Sequence, residues 1–182
     1  MSRTALATAL AAATLLLSAC GAEPEPLTAM QPDAPADLCS LVPETAKAGL
    51  QTSSDADSTG DPTAACSLRT APGARPEERA VVTWTKLDDD GTADGVLSSQ
   101  CRSIDTATYR VQSGFTAQGA DKACAGAGML GAAGSATLAG VTGTEVVTVR
   151  WSSAPGVPAP TLARSKQVLE SVLSAVAPPS SS

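Results

Sequence analysis

Residues 135–152 read SATLAGVTGTEVVTVRWS, and this stretch decides the fold. Thr142-Gly143 in its middle is a turn signal with apolar residues on both sides, so the stretch predicts a β-hairpin with arms 135–141 and 144–152. In the second arm Val147, Val149 and Trp151 alternate with other side chains and therefore share one face of the strand. Alternation of this kind is typical of a half-buried strand.

The chain on either side of the hairpin predicts further strands and three helices. The segment RAVVTWTKL at 79–87 predicts a strand with Val82 and Trp84 on one face. Shorter strands are expected at 66–69, 108–111 and 123–130, and loops at 51–63, 71–78 and 114–121. Helices are expected from Pro43 to Gly49, after the acidic turn at 88–95 to about Ser103, and over 160–177. In the last of these the apolar residues follow a helical period: Leu162, Val168, Leu169, Val172, Leu173 and Val176.

The first residues of the chain predict export. Arg3 is the one charge before an apolar run from Ala5 to Ala19. That run is too short for a membrane-spanning helix, which needs about 20 residues. A basic residue, an apolar run and small residues before a cleavage point describe a secretory signal peptide at residues 1–19.

The apolar run ends in Leu17-Ser18-Ala19-Cys20 followed by Gly21, which resembles the lipobox of bacterial lipoproteins. The resemblance implies that the signal is cut before Cys20 and that the Cys20 thiol receives a diacylglyceryl group, often with acylation of the new amine. The alternative is an ordinary signal peptide with a chance cysteine. Residues 20–36 then form a lipidated, Pro-rich tether, and two or three acyl chains suffice for stable anchoring. The expected location is the extracytoplasmic face of the cell membrane, with the bilayer as a partner through Cys20.

Four further cysteines predict two disulfide bonds. Cys39, Cys66, Cys101 and Cys124 include no Cys-x-x-Cys pair, which weakens zinc and thioredoxin-type chemistry. An exported chain with an even number of spaced cysteines favours a disulfide framework. Three pairings are possible; Cys39–Cys66 with Cys101–Cys124 is preferred because sequence-adjacent pairs close short loops.

The composition excludes several classes of function. The 182 residues carry a formal charge of −6, which argues against nucleic-acid binding and against electrostatic docking on anionic lipid. The chain has no histidine, which removes Ser-His-Asp and Cys-His catalysis and imidazole metal sites. Aromatic residues are only 2% of the chain, so Ala, Val and Leu must form most of the core, and no aromatic platform for sugars or bases is expected.

Sequence motifs of known catalytic chemistry are missing. There is no Gly-x-Ser-x-Gly, no Ser-x-x-Lys and no Gly-Lys-Ser/Thr segment. Glycoside hydrolysis could draw on acids such as Asp88, Asp94, Glu145 and Glu170, but nothing in the sequence pairs them. No catalytic residue, cofactor or metal ligand is therefore predicted.

The acidic turn at 88–95, DDDGTADG, has the beginning of a calcium loop. In a register that starts at Asp90, the twelfth position is Cys101 instead of the bidentate Glu that an EF-hand needs. Calcium is the alternative. The preferred interpretation is a solvated turn in which an acid caps the following helix.

Two further motifs resemble a family of small secreted actinobacterial lipoproteins that has no assigned activity. They are the opening Asp37-Leu38-Cys39-Ser40-Leu41, with Cys66 at the start of a strand, and the step Gly119-Ala120-Asp121-Lys122-Ala123 before a strand pair. The resemblance spans about residues 37–177. It implies a single disulfide-stapled α+β domain, with helices packed on an antiparallel sheet in a PsbP-like sandwich. The Pro-Pro-Ser-Ser-Ser end at 178–182 separately predicts a disordered tail. The chain departs from the family by its extra pair Cys101 and Cys124, and by Ser67-Leu68 where an aromatic residue often follows.

These features together predict a membrane-anchored extracytoplasmic binding or accessory module without catalytic activity, whose partner is an envelope protein or a small ligand. The alternative is a cell-envelope hydrolase that uses paired carboxylates. A concave, water-excluded cluster of acids would favour the hydrolase, whereas a plain sheet face or a small apolar groove would favour the binding module.

Overall fold

One antiparallel sheet organises the chain. The computed structural model describes residues 35, 37–53, 63–104 and 108–177, all within one structural unit. The predicted signal peptide, Cys20, most of the predicted tether and the predicted tail at 178–182 lie outside the described residues. The strands of the described residues are β1 (Leu50–Thr52), β2 (Thr63–Thr70), β3 (Glu77–Lys86), β4 (Tyr109–Val111), β5 (Lys122–Leu130), β6 (Ala133–Thr142) and β7 (Glu145–Ala154). They pair in the order β1-β2-β3-β7-β6-β5-β4.

Helices lie on both sides of this sheet. They are a 3-10 turn (Leu38–Leu41), α1 (Glu44–Lys47), α2 (Asp90–Ile104) and α3 (Pro158–Val176). The predicted α+β class, an antiparallel sheet with flanking helices, is confirmed. No described helix is both long and apolar enough to cross a membrane.

The predicted hairpin forms the centre of the sheet. Strands β6 and β7 are antiparallel, and their first pair next to the turn is Thr142 with Glu145. In the turn between them Gly143 takes a φ of +54°. Val147, Val149 and Trp151 are each no more than 2% exposed, so the face predicted from their alternation is a core face. Strand β3 pairs with the other edge of β7, which brings Trp84 beside Val147 in the same layer.

Helix α3 covers that core face. Val168, Leu169, Val172 and Leu173 are completely buried and pack against the apolar side chains of β3, β6 and β7. Each such side chain contributes roughly 1.5–3 kcal/mol through the removal of apolar surface from water. The helical period of the sequence therefore corresponds to the stripe that holds α3 on the sheet.

Helix α2 packs on the opposite face. Ala93 and Leu97 are buried against Val141 and Val146, and Val146 lies next to Val147 on β7, so the two helices cover different faces. Asp89 accepts hydrogen bonds from the backbone N–H of Thr92 at 2.8 Å and from its hydroxyl at 2.7 Å. The acid thus caps the helix as predicted.

Two disulfide bonds attach helical segments to the sheet. Cys39–Cys66 joins the 3-10 turn to β2, and Cys101–Cys124 joins α2 to β5. The predicted disulfides are thus present in the structure with the preferred pairing. In each case the bond holds an element that buries few large side chains of its own.

Several boundaries differ from the sequence predictions. Strand β2 starts at Thr63 instead of residue 66, and β3 starts at Glu77, inside the loop predicted at 71–78. Residues 50–52 form β1, paired with Leu68–Thr70, although 51–63 was predicted to be a loop. The three residues Leu50, Gln51 and Thr52 show no alternation, and they become a strand because the edge of β2 offers them backbone hydrogen bonds. Strand β6 also starts at Ala133, two residues before the predicted start of the first hairpin arm at 135.

Candidate binding groove

A groove opens where α3 leaves the outer strands of the sheet uncovered. Helix α3 packs mainly on β6 and β7 and less on β5, so β4 and the end of β5 lie beside its first turns with a gap between them. The cavity has a volume of about 760 Å³, within the range of about 300–1,000 Å³ that is typical of small-molecule sites. Its described lining residues are Thr108, Arg110, Gln112, Ala127, Gly128, Met129, Pro158, Ala159 and Leu162.

The strand period decides which side chains of β4 enter the groove. Thr108, Arg110 and Gln112 line it, at the spacing of two that puts side chains on one face. Tyr109 points to the other face, where its hydroxyl lies 3.1 Å from Ser135 Oγ. All the polar side chains of the described lining therefore stand on the β4 side, and α3 contributes Pro158, Ala159 and Leu162.

Two glycines make this arrangement possible. A Cβ on Gly128 would overlap the carbonyl oxygen of Thr108, and a Cβ on Gly134 would overlap the backbone of Val157. The backbone at Thr108, before β4, and the backbone at Val157, before α3, can lie this close to the sheet only because the facing residue is glycine. A larger residue would push each of them away. Both sides of the groove are thus set by residues of the β5–β6 hairpin, whose turn uses Gly131 at a φ of +63°.

The groove is electrically unbalanced. Arg110 is charged, and none of the nine described lining residues is acidic. The guanidinium of Arg110 makes no ion pair with any described residue; its backbone carbonyl accepts a hydrogen bond of 3.1 Å from Gln112 Nε2. Four basic side chains elsewhere have an acidic partner: Lys47 with Glu44, Lys122 with Asp94, Arg164 with Glu78, and Lys166 with Glu170. Arg110 is exposed and shares its lack of a described ion pair with other surface arginines such as Arg102; it is set apart by its place in the groove.

Met129 is an exposed apolar side chain in the groove, and three other exposed apolar residues are next to lining residues in the sequence. Met129 lines it and is 45% exposed, while the adjacent Leu130 and Val157 are each 60% exposed. Val111, at 46%, lies on the other face of the same edge strand. Large apolar side chains that are exposed together mark interaction sites more often than isolated ones do.

Two smaller depressions have a different character. One, of about 260 Å³, lies on the open sheet face between β2 and β3 and includes Ser67, Arg69 and Arg79. The other, of about 180 Å³, surrounds Arg164, whose guanidinium stacks 5.3 Å from the ring centre of Trp151 and pairs with Glu78. Arg164 thus already has both of its partners from the protein, unlike Arg110.

The acids considered for hydrolysis hold separate contacts. Glu145 accepts a hydrogen bond of 2.7 Å from Trp84 Nε1, and Glu170 accepts one of 2.9 Å from the backbone N–H of Gln118. Asp94 pairs with Lys122 across α2 and β5, and Asp88 is exposed. The structure does not bring these four carboxylates into one cluster.

The acidic turn before α2 is engaged in capping. The side-chain hydrogen bond from Thr92, followed by the backbone hydrogen bond from the same residue, lowers the pKa of Asp89 below its ordinary value. Among the described residues, no group of three or more His, Cys, Asp or Glu side chains is placed to hold a metal ion.

Sequence reasoning missed the groove. Its residues come from three separate segments, 108–112, 127–129 and 158–162, and none of them forms a motif. The available signals were weak: the run Ala125-Gly126-Ala127-Gly128 of small residues in a strand, and the two prolines Pro158 and Pro160 at a helix start.

Comparison with known proteins adds no relative. No family model matches the chain, no curated protein matches it, and no solved structure matches it. The resemblance to the actinobacterial lipoproteins, and the PsbP-like sandwich that it implies, stay predictions.

Proposed function

We propose that this protein is a lipid-anchored extracytoplasmic binding module and that the groove between β4, β5 and α3 is its ligand site. The observation that carries the proposal is the groove itself. It combines about 760 Å³ of volume with exposed apolar side chains and one arginine that has no ion pair among the described residues. A concave surface of this size with an exposed apolar side chain is typical of interaction sites, which supports a ligand for the groove.

The proposed location comes from the N-terminal sequence and agrees with the disulfides. The lipobox-like segment that ends in Cys20 supplies the anchor. The two disulfide bonds of the folded part are typical of chains that fold outside the reducing cytoplasm. We expect the acyl chains on Cys20 to hold the domain within the reach of the tether, which is roughly 20–25 Å as a loose coil.

Binding is favoured over catalysis by the positions of the acids. Glu145, Glu170 and Asp94 each hold a contact that stabilises the fold. A glycosidase needs two carboxyl groups on either side of one substrate bond. Each of these acids is instead held by a contact with another part of the chain, which supports the binding module over the hydrolase.

The test of the binding function compares two tryptophan variants of α3. Ala159→Trp fills the groove from its helix wall, whereas Ala175→Trp adds the same ring at an exposed position of the same helix, about 24 Å away along its axis. We expect pull-down from detergent-solubilised envelopes to recover a component with wild type and Ala175→Trp and to lose it with Ala159→Trp. Equal recovery by all three proteins would contradict the assignment of the groove.

The test of the anchor is the variant Cys20→Ala. Because the acyl chains require the thiol, we expect this variant to move from the detergent phase to the aqueous phase in a phase-partitioning experiment. Unchanged partitioning would refute the anchor but would leave the groove as a binding site.

A further inference from the structure

We infer that the ligand of the groove is an anionic amphiphile, with its hydrocarbon chain between α3 and β5 and its carboxylate on Arg110. The inference rests on the proposed function, because it names the class of ligand for the same groove. It is carried by the separation of apolar and polar surface across the groove and by the charge of Arg110.

The two sides of the groove offer different chemistry. The α3 wall and the β5 floor present Pro158, Ala159, Leu162, Ala127 and Met129, none of which has a side chain with a conventional hydrogen-bond donor. This apolar side suits a hydrocarbon chain and leaves the hydroxyl groups of a sugar without partners. The polar side chains stand on one strand, β4, so the ligand needs polar groups on one flank only.

The length of the groove suits a chain of moderate length. The lining segment around β4 runs from Thr108, just before the strand, to Gln112, just after it, which is about 13 Å at 3.3 Å per residue. Arg110 stands in the middle of this run. An extended hydrocarbon chain can therefore follow the floor while its head group lies beside the guanidinium.

Arg110 selects the charge of the ligand. Its planar guanidinium can donate two parallel hydrogen bonds to a carboxylate, and no described lining residue supplies an acid that would compete. The start of α3 is a poor substitute as an anion site, since Pro158 and Pro160 remove two of its first four N–H donors. The cationic partner for the head group is therefore Arg110.

Other occupants fit these contacts less well. No aromatic side chain is among the described lining residues, so a stacked sugar or base has no platform. A peptide added as a strand would bind the free edge of β4 and not the face that lines the groove. A second copy of the chain would have to place an acidic side chain on Arg110 and apolar side chains on the α3 wall at the same time, so it would need an acid within an apolar patch. Among the described exposed apolar residues, Met129, Leu130 and Val157 have no acidic neighbour in the sequence.

The experiment uses the full chain in nanodiscs of neutral phosphatidylcholine and two photo-crosslinking probes. One probe is a fatty acid with a diazirine in its chain, and the other is the corresponding fatty alcohol. After irradiation, mass spectrometry identifies the labelled peptides. We expect the fatty acid to label residues 123–130 and 158–166 in a saturable manner, and the alcohol to label them weakly.

Arg110→Gln should lower fatty-acid labelling of these peptides about tenfold, the effect of one lost charge-assisted hydrogen bond, and should leave alcohol labelling unchanged. Arg102→Gln, which removes an exposed arginine of α2 outside the groove, is the matched control and should change neither. Arg110→Lys should restore part of the labelling. Ala159→Trp should abolish labelling by both probes.

Three results would overturn the inference. Equal labelling of wild type and Arg110→Gln by the fatty acid would remove the role of the carboxylate. Saturable labelling confined to peptides outside the groove would remove the site. The third result is that Ala159→Trp abolishes the binding of an envelope peptide or the formation of a dimer, while no fatty acid labels the groove. This result would refute the amphiphile as the ligand but would leave the binding module intact. If Ala159→Trp behaves like wild type in both the labelling and the pull-down experiments, the proposed function itself is refuted.

Discussion

Removal of the disulfide Cys101–Cys124 should cost a large share of the stability of this domain. The bond closes a loop of 24 residues, counted from its sequence separation of 23 with both ends included. The chain-entropy model gives about 3.5 kcal/mol for a loop of that length. Domains of this size are stable by about 5–15 kcal/mol in total, so the Cys101→Ser, Cys124→Ser double variant should fold with a much smaller margin.

The structure indicates that little else can compensate for this loss. Helix α2 buries Ala93, Leu97 and Ile104, of which only Leu97 and Ile104 are large. Ile104 also packs against Gly126, which pairs with Val111 of β4. Loss of the bond should therefore loosen α2 first and the β4 side of the groove with it.

The assay is urea unfolding followed by circular dichroism under non-reducing conditions, together with amide hydrogen exchange. We expect the variant to lose about 3.5 kcal/mol and to lose protection in α2 and β4 before the centre of the sheet. The matched control is the Cys39→Ser, Cys66→Ser variant, whose loop of 28 residues (a separation of 27 plus one) predicts nearly the same loss. A loss below about 1 kcal/mol, or uniform loss of protection, would refute the reasoning.

Three further predictions test the fold. Leu173→Ala, at a completely buried position of α3, should lower the free energy of unfolding by about 2–5 kcal/mol, and denaturant unfolding measures it. Asp89→Asn should destabilise the chain more at pH 6 than at pH 2.5, because the pKa of Asp89 is lowered in the folded state. The contribution of the Asp89 carboxylate to the free energy of unfolding is therefore present above its unfolded pKa and disappears as the pH falls below about 4. An equal loss of stability at both pH values would contradict this. Gly128→Val should displace the chain at Thr108 and cost about 1–3 kcal/mol or more. Gly95→Ala, a position with no atom within 4 Å of the added Cβ, should leave the domain as stable as before or more stable; equal effects of the two glycine changes would be inconsistent with the close approach at Gly128.

The central hairpin and α3 could be predicted from local sequence alone. The alternation of Val147, Val149 and Trp151 places them on one face because successive side chains of a strand point to opposite sides. The helical spacing from Leu162 to Val176 has the same basis with a period of 3.6 residues. The cap by Asp89 and the turn at Gly143 also depend on neighbouring residues only, so these features are legible without the fold.

Tertiary structure decided the rest. Leu50–Thr52 becomes β1 only because β2 presents a free edge, and no local pattern records that edge. The groove unites three segments that lie up to about 50 residues apart in the chain, from Thr108 to Leu162. Its shape depends on how far α3 reaches across the sheet and on two close approaches, at Gly128 and Gly134.

The physical difference is one of range. Periodicity, capping and turn preferences arise from atoms a few residues apart, so a single sequence contains them in full. Contacts between distant segments decide the strand order and the faces that α2 and α3 cover. They also decide that Arg110 stands in a groove without a described acidic lining residue. Sequence by itself therefore determined the elements of this protein and its expected anchor at Cys20, whereas only the folded chain brought the apolar wall of α3 opposite the arginine of β4.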